Sequence, residues 1–379
     1  MRVVVPTETA DGERRVAAVP ETVGRFVAAG LAVSVQAGCG AAAWYPDEAY
    51  AAAGATVVPD VRDVLAGADV VCKVAPPTVE QVQAMPVGSV SISFLQPWAH
   101  PESIRALAAR SVTSFSLDLV PRISRAQGMD ALSSQALVAG YRAVLIAAEQ
   151  LPKFLPLFMT AAGTVPPARV LVLGAGVAGL QAIATARRLG AVVEAYDVRA
   201  AAAEEVRSLG ASFLELELDT QEGSGGYARV QSEEFLARQR ELIAAHVRDA
   251  DAVITTAAVP GRPAPLLVTG EMVHTMRAGS VIVDLAAEGG GNCALTKLGQ
   301  TVLEHGVAVI GAQNVASSLP LHASALYARN VANLLALMVR DGQLSVDLSD
   351  EILAGCCVTR DGAIVNQAAR ELIETGGPT

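Results

Sequence analysis

One segment constrains this chain more than any other: RVLVLGAGVAGLQAIATARRLG, residues 169–190, where an apolar strand runs straight into GxGxxG and then into a helix. Gly174, Gly176 and Gly179 answer three different requirements. The first permits a tight turn, the second lets backbone approach a pyrophosphate, and the third lets helix and strand pack closely. The helix N-terminus then offers N–H groups and the positive end of its dipole to the phosphates. GxGxxG alone arises by chance in apolar turns, so the following strand carries the discrimination. VVEAYDVR, residues 192–199, ends in Asp197 at the distance where a carboxylate meets an adenosine ribose. Such a group accepts from both ribose hydroxyls and repels a 2′-phosphate, which favours NAD(H) over NADP(H). The bland alternative is a helix N-cap aspartate, and Arg199 softens the acidic character of the site without removing it.

The rest of the chain repeats the strand–helix–strand unit. Short β-branched runs alternate with amphipathic segments at Arg2–Val5, Glu21–Ala29, Ala32–Gln36, Asp47–Ala53, Thr56–Val58, Asp69–Val74, Val90–Phe94, Pro101–Ala109 and Val112–Phe115, without a phosphate-type glycine loop. A helix-rich bridge over 133–159 leads to a second block. Its strands are expected at 169–173, 191–196, 212–214, 250–254, 280–283 and 307–310, and its helices at 177–188, 200–208 and 232–247. Leu319–Arg340 has helical spacing and the length to recross between domains. With 379 residues, 52% apolar but only 4% aromatic, the chain suits two βαβ domains better than sandwiches or barrels. The expected fold class is α/β: two Rossmann-like, doubly wound parallel-sheet domains joined by long helices. The boundaries are expected at 1–132 plus 325–379 for a discontinuous N-terminal domain and 133–324 for the dinucleotide domain.

A net charge of -10 argues against nucleic acid or an anionic membrane surface as the main partner. The most apolar stretch, Ala143 to Val177, is broken by Glu149, Lys153, Arg169 and several prolines, so no membrane span is expected. The start MRVVVPTET meets Pro6 and Glu8 too early for a signal peptide, which points to the cytoplasm. The five cysteines form no CxxC pair and read as reduced and structural; the vicinal pair Cys356 and Cys357 is the one redox alternative. The five histidines show neither HxxxH nor HxxH spacing, so no metal is expected.

Two loops stand out. PRISRAQGMDALSSQ, residues 121–135, is dense in polar groups before a helical stretch. It reads either as an N-terminal capping cluster around Asp130, Ser133 and Ser134, or as a loop that orients a nicotinamide carboxamide. Glu215–Arg229, with QEGSGGYARV at its centre, is longer than an ordinary connection and flexible by its glycines.

Together these residues resemble the NAD(H)-binding component of proton-translocating transhydrogenases, within a superfamily that also contains alanine dehydrogenase. The likeness runs over nearly the whole length, through VPTET…ERRVA, RISRAQGMD with SSQ…AGYRAV, MTAAGTVPPA, GAGVAGLQAIATARRLGA, DVR, GGYA, TTA…PGRPAP, GSVIVDLA…GGN and CVTRDGAIV. The resemblance implies that Arg122, Gln127, Asp130 and Ser133 position the ring for hydride transfer. It implies dinucleotide contacts at Gln127, Gly128, Met129, Asp130, Val177, Asp197, Val198, Arg199, Gly226, Gln239 and Ala258, beside the glycines 174, 176 and 179. At Ala258 the family would have leucine, and the smaller side chain should loosen packing slightly. Tyr227 would belong to a mobile loop closing over NAD(H). The resemblance further implies a homodimer, NADP(H) held on a beta subunit, membrane-spanning components that carry protons, and a cytoplasmic place at the inner membrane reached through those partners.

The alternative enzyme reading is an NAD-dependent alanine dehydrogenase-like activity, which needs a lysine and a histidine beside the substrate. In VCKVAPP the lysine position falls on Ala75, with Lys73 two residues early, and in FLQPW the histidine position is Gln96. Arg15 remains, yet an arginine without an acid/base partner cannot run imine chemistry. A non-catalytic NAD sensor would satisfy the glycine motif but leaves the 121–135 loop without a purpose.

Overall fold

The computed structural model describes residues 1–216, 233–259 and 261–374. They divide into two compact units, Met1–Gln135 with Ala316–Thr379, and Ala136–Val315.

The first unit is built on eight strands in the order Ala363–Ile364, Cys357–Arg360, Thr113–Ser116, Val90–Ser93, Val70–Cys72, Arg2–Val5, Ala32–Gln36, Thr56–Val58. The last six of that order pair in parallel. Winding reverses between Arg2–Val5 and Val70–Cys72, which makes the sheet doubly wound. The two C-terminal strands add antiparallel at one edge, so the tail does return to this sheet. Runs such as RVVV, VVC and VSIS lack alternation because both faces are covered. One face carries a core of Val3, Val5, Phe26, Tyr327 and Leu334, the other Val4, Leu65, Ile104 and Leu107.

The second unit has seven strands, Ser212–Phe213, Val192–Tyr196, Arg169–Leu173, Ala252–Thr255, Val281–Asp284, Val307–Gly311 and Thr301–Glu304. The first six are parallel and, numbered along the chain, stand 3-2-1-4-5-6, the order of dinucleotide folds. Thr301–Glu304, which periodicity did not reveal, is an antiparallel edge strand.

The helix-rich bridge is corrected in one respect. Helix Ala131–Gln150 ends before Pro152, whose ring removes a donor and obstructs the preceding turn, and Phe158–Thr160 then pairs with Gly163–Val165 as a hairpin. Likewise helix Pro320–Ala336 stops short of the expected Arg340, because Val339–Arg340 pairs with Gln343–Leu344 across Asp341 and Gly342, at φ 52° and 72°. Both turn residues are left-handed, as a type I′ turn requires, and Asp-Gly is a sequence signal for it. By length and composition, Ala131–Gln150 is the one helix among the described residues able to cross a membrane. Its Ala143, Val144 and Ala147 are instead packed in the second unit's core, and a Cβ at Gly140 would overlap the Ala178 carbonyl.

Candidate functional site

In the second unit the winding reverses between Arg169–Leu173 and Ala252–Thr255, and the glycine turn lies at the carboxyl end of the first of these. Gly174 has φ 102°, and a Cβ there would stand 2.5 Å from the Thr256 hydroxyl, which donates to the Gly174 carbonyl at 3.1 Å. Backbone and space both require glycine. At Gly179 a Cβ would overlap that same carbonyl, so the helix can lie this close to the strand only without a side chain. Gly176 is different: a Cβ would meet nothing within 4 Å, and the space above it is open. Helix Val177–Arg188 begins there without a side-chain cap, and Val177 is exposed at the mouth. The first-turn N–H groups are therefore presented to an anion.

Asp197 ends strand Val192–Tyr196 as expected, and its carboxylate is occupied. Oδ2 accepts from the Ala175 N–H at 2.7 Å and from Arg199 Nη2 at 3.1 Å; Oδ1 accepts from the Arg199 N–H at 2.9 Å and Nε at 3.0 Å. It does not cap the next helix, which starts from Ala201. The Asp197 side chain is 9% exposed and that of Arg199 28%. A ribose diol reaching this carboxylate has to take the place of the guanidinium, the looser of the two groups.

Val198 packs partly buried against the core on one face of the sheet, and Gln239 is buried on helix Glu233–Asp249. Ala258 is exposed in the segment after Ala252–Thr255. Gly226 and Tyr227 lie outside the described residues.

Two residues that sequence reasoning passed over organise this end of the sheet. Asp284 is fully buried, and its two oxygens accept from the Thr255 and Thr296 hydroxyls and the N–H groups of Ala286, Asn292 and Cys293. Asn292, also fully buried, accepts from the Ala257 N–H at 3.0 Å and donates to the carbonyls of Ala257 and Pro265, both at 2.8 Å. Together they hold the strand end that carries Thr256 and Ala258. The signal available was an aspartate closing the apolar run VIVD, followed by GGN.

The 121–135 loop belongs to the first unit. Asp130 accepts from the Ser133 N–H at 2.9 Å and from its hydroxyl at 2.5 Å, so the capping geometry is present at the start of helix Ala131–Gln150. Ala126 and Met129 are buried, whereas Arg122 and Gln127 are exposed. The carbonyl of Gly128 accepts from Asn330 at 2.9 Å and Asn333 at 2.8 Å, which pins the loop to helix Pro320–Ala336. Those asparagines, about one helical turn apart, were not among the expected site residues.

The first unit's own switch point is closed. There Glu8 accepts from Lys73 Nζ at 2.8 Å and the Val74 N–H at 2.6 Å, with both charged side chains almost wholly buried. Arg15 is buried and held by Glu13 and Gln135. A carboxylate of the chain thus occupies the place where a bound anion would lie. Asp118 accepts from the N–H groups of Leu95 and Gln96 nearby, and burial pushes its carboxyl up. All five cysteines are free and buried; burial holds the thiols of Cys72 and Cys356 up at about 12, which leaves no thiolate at neutral pH.

Against known proteins, residues 4–139 match the alanine dehydrogenase/PNT N-terminal domain and residues 143–367 the alanine dehydrogenase/PNT C-terminal domain. The chain is 48% identical over 97% of its length, and 98% of the relative's, to an NAD(P) transhydrogenase subunit alpha chain of Rhodospirillum rubrum. It is 30% identical to the alanine dehydrogenase of Bacillus subtilis, over 98% of this chain and 95% of that one. A solved transhydrogenase from Sinorhizobium meliloti superposes with a TM-score of 0.89 at 44% identity, covering 96% of this chain and 100% of that one. Two Rossmann-like units, a glycine turn at the switch point of the second and identities that rise from 30% to 48% on passing from dehydrogenase to transhydrogenase place this chain in the alanine dehydrogenase/PNT family, with its transhydrogenase alpha subunits.

Proposed function

We propose that this chain binds NAD(H) on its second unit and exchanges hydride with NADP(H) held on a beta subunit, in a complex whose membrane-spanning components move protons. The observation that carries the reading is the open, uncapped helix mouth at Gly176 with Asp197 beside it in a 3-2-1-4-5-6 sheet. Bound NADH supplies the hydride from its nicotinamide ring. The chain's own residues need only bind, orient and keep out water, because hydride transfer requires alignment more than acid or base. Val177 and the first-turn N–H groups receive the pyrophosphate, and Asp197 receives the ribose. Gln239 and Ala258 flank the nucleotide, and Arg122, Gln127, Asp130 and Ser133 orient the ring.

The alanine dehydrogenase reading is disfavoured by the fate of the nearest lysine. Lys73 is 1% exposed and locked to Glu8, so it is unable to exchange protons with a substrate. An absence of NADH formation from alanine is the matching control.

Fluorescence titration is expected to give an affinity for NADH well above that for NADPH. Asp197→Asn should narrow the preference by roughly tenfold, the worth of a charge-assisted hydrogen bond. Equal affinities for the two nucleotides in the unmodified chain would refute the ribose assignment.

We also propose that the chain is a homodimer, cytoplasmic and tied to the inner membrane through its partner subunits. The support for self-association is an apolar projection around the Phe158–Thr160 hairpin, where Phe154, Leu157, Phe158, Met159 and Val165 are 37–77% exposed. Patches of this kind mark protein interfaces. Met159→Asp is expected to halve the mass seen in light scattering, and an unchanged dimer would remove this face from consideration.

A further inference from the structure

Two of the chain's five histidines meet over one carboxylate in the second unit. His274 lies in the last turn of helix Gly270–Thr275, Glu304 ends strand Thr301–Glu304, and His305 opens the turn into Val307–Gly311. His274 Nε2 is 3.1 Å from Glu304 Oε1, and His305 Nε2 is 3.6 Å from the same oxygen. The imidazole centroids are 4.1 Å apart at a tilt of 48°. A ligand atom from each of the three residues falls within 4.8 Å of the others. Around a tetrahedral zinc with bonds of about 2.0–2.1 Å, ligand atoms stand about 3.3 Å from one another. Both carboxylate–imidazole edges are near that length already, and a small ring rotation closes the third.

An ordinary ion pair accounts poorly for this arrangement. Imidazoles stacked this closely repel if both carry a charge, so Glu304 gains a full ion pair with only one of them. A divalent cation lets both rings remain neutral and all three groups bind. The backbone points the same way. His305 and Gly306 have φ 47° and 77°, the type I′ turn for which Asn-Gly is the favoured pair, yet a histidine occupies the strained position.

We propose that His274, Glu304 and His305 form a zinc site, with three protein ligands and water completing the shell. Two imidazoles and one carboxylate suit zinc; magnesium and calcium call for oxygen ligands throughout. The three side chains are 38–59% exposed, which leaves the remaining position open to solvent. The site lies at the amino end of Val307–Gly311, whereas nucleotides bind beyond the carboxyl ends of such strands. Zinc there clips helix Gly270–Thr275 to the edge hairpin and leaves the nucleotide end untouched.

The test uses the tag-free, full-length chain, stripped with a chelator and titrated with zinc chloride in competition with a chromophoric chelator. One equivalent should bind in the micromolar range and raise the thermal midpoint; magnesium should do neither. His305→Asn keeps a residue suited to the turn, and His274→Gln keeps a helix former. Outer-shell changes alone cost 10–100-fold in metal affinity, so losing a ligand should weaken binding by at least about tenfold. Far-UV circular dichroism and NADH titration should match the unmodified chain, since neither residue lies at the nucleotide end. Binding well below one equivalent would overturn the proposal, and so would zinc affinity that survives both substitutions.

Discussion

Gln127→Asn is expected to slow hydride transfer to partner-bound NADP⁺ about a hundredfold while NADH affinity stays nearly unchanged. Gln127 is exposed between the buried Ala126 and Met129, and the next carbonyl, of Gly128, is held by Asn330 and Asn333. The main chain therefore has little reason to move when the side chain is shortened. What changes is reach: the same amide donors and acceptor withdraw by roughly 1 Å, a misplacement of the size that costs about two orders of magnitude in rate. Most of the proposed binding surface, the glycine turn and Asp197, is untouched. Single-turnover stopped flow with the NADP(H)-binding partner gives the rate, and equilibrium titration gives the affinity. A variant with unmodified transfer rate and weakened NADH binding would make Gln127 an ordinary contact, and the assignment of the loop to hydride positioning would be lost. The chain without its partner is expected to show no NADH-to-NADP⁺ exchange, because the first unit's switch point is filled by Glu8 and Lys73.

Lys73→Met is expected to destabilise the protein by about 3–5 kcal/mol, the cost of leaving one member of a buried pair without its counter-charge. Lys73 and Glu8 have side chains 1% and 3% exposed. With the ammonium gone, the Glu8 carboxylate keeps only the N–H groups of Val74 and, more weakly, Ala75, the latter at 3.3 Å. For a unit of this size the thermal midpoint should fall by on the order of 10 °C. Adding Glu8→Gln to Lys73→Met should recover much of the loss, since a neutral amide can still accept from Val74 without an unpaired charge. A single variant within about 1 kcal/mol of the unmodified chain would mean that water reaches the pair, contrary to its burial.

Several elements were legible in the sequence, and others were hidden for identifiable reasons. Arg2–Val5, Ala32–Gln36, Thr56–Val58, Pro101–Ala109, Arg169–Leu173 and Val177–Arg188 lie on the residues expected of them. Their patterns are complete within a few residues: a β-branched run for a strand covered on both faces, or apolar positions at helical spacing. The hairpins at Phe158–Val165 and Val339–Leu344 and the edge strand Thr301–Glu304 were overlooked because each is short and its turn chemistry was given less weight than periodicity. The parallel sheets, the Rossmann-like class and the glycine turn could be read directly because GxGxxG after a strand has few other ways to fold.

The sequence by itself determined which segments become strands and helices, the turn that needs Gly174 and Gly179, and the carboxylate that closes strand Val192–Tyr196. Only the tertiary structure decided what each polar group faces. It set the Asp197 carboxylate against Arg199 and Ala175, filled the first switch point with Glu8, tied Gly128 to Asn330 and Asn333, and gathered five donors on Asp284. His274 and Glu304 meet although 30 residues separate them in the chain. The physical reason is one of range. Strand and helix preferences act between neighbours a few bonds apart and leave a periodic trace in the sequence. A hydrogen bond between distant residues exists only after the sheets have aligned their strand ends, and burial then makes it costly to leave such a group unpaired.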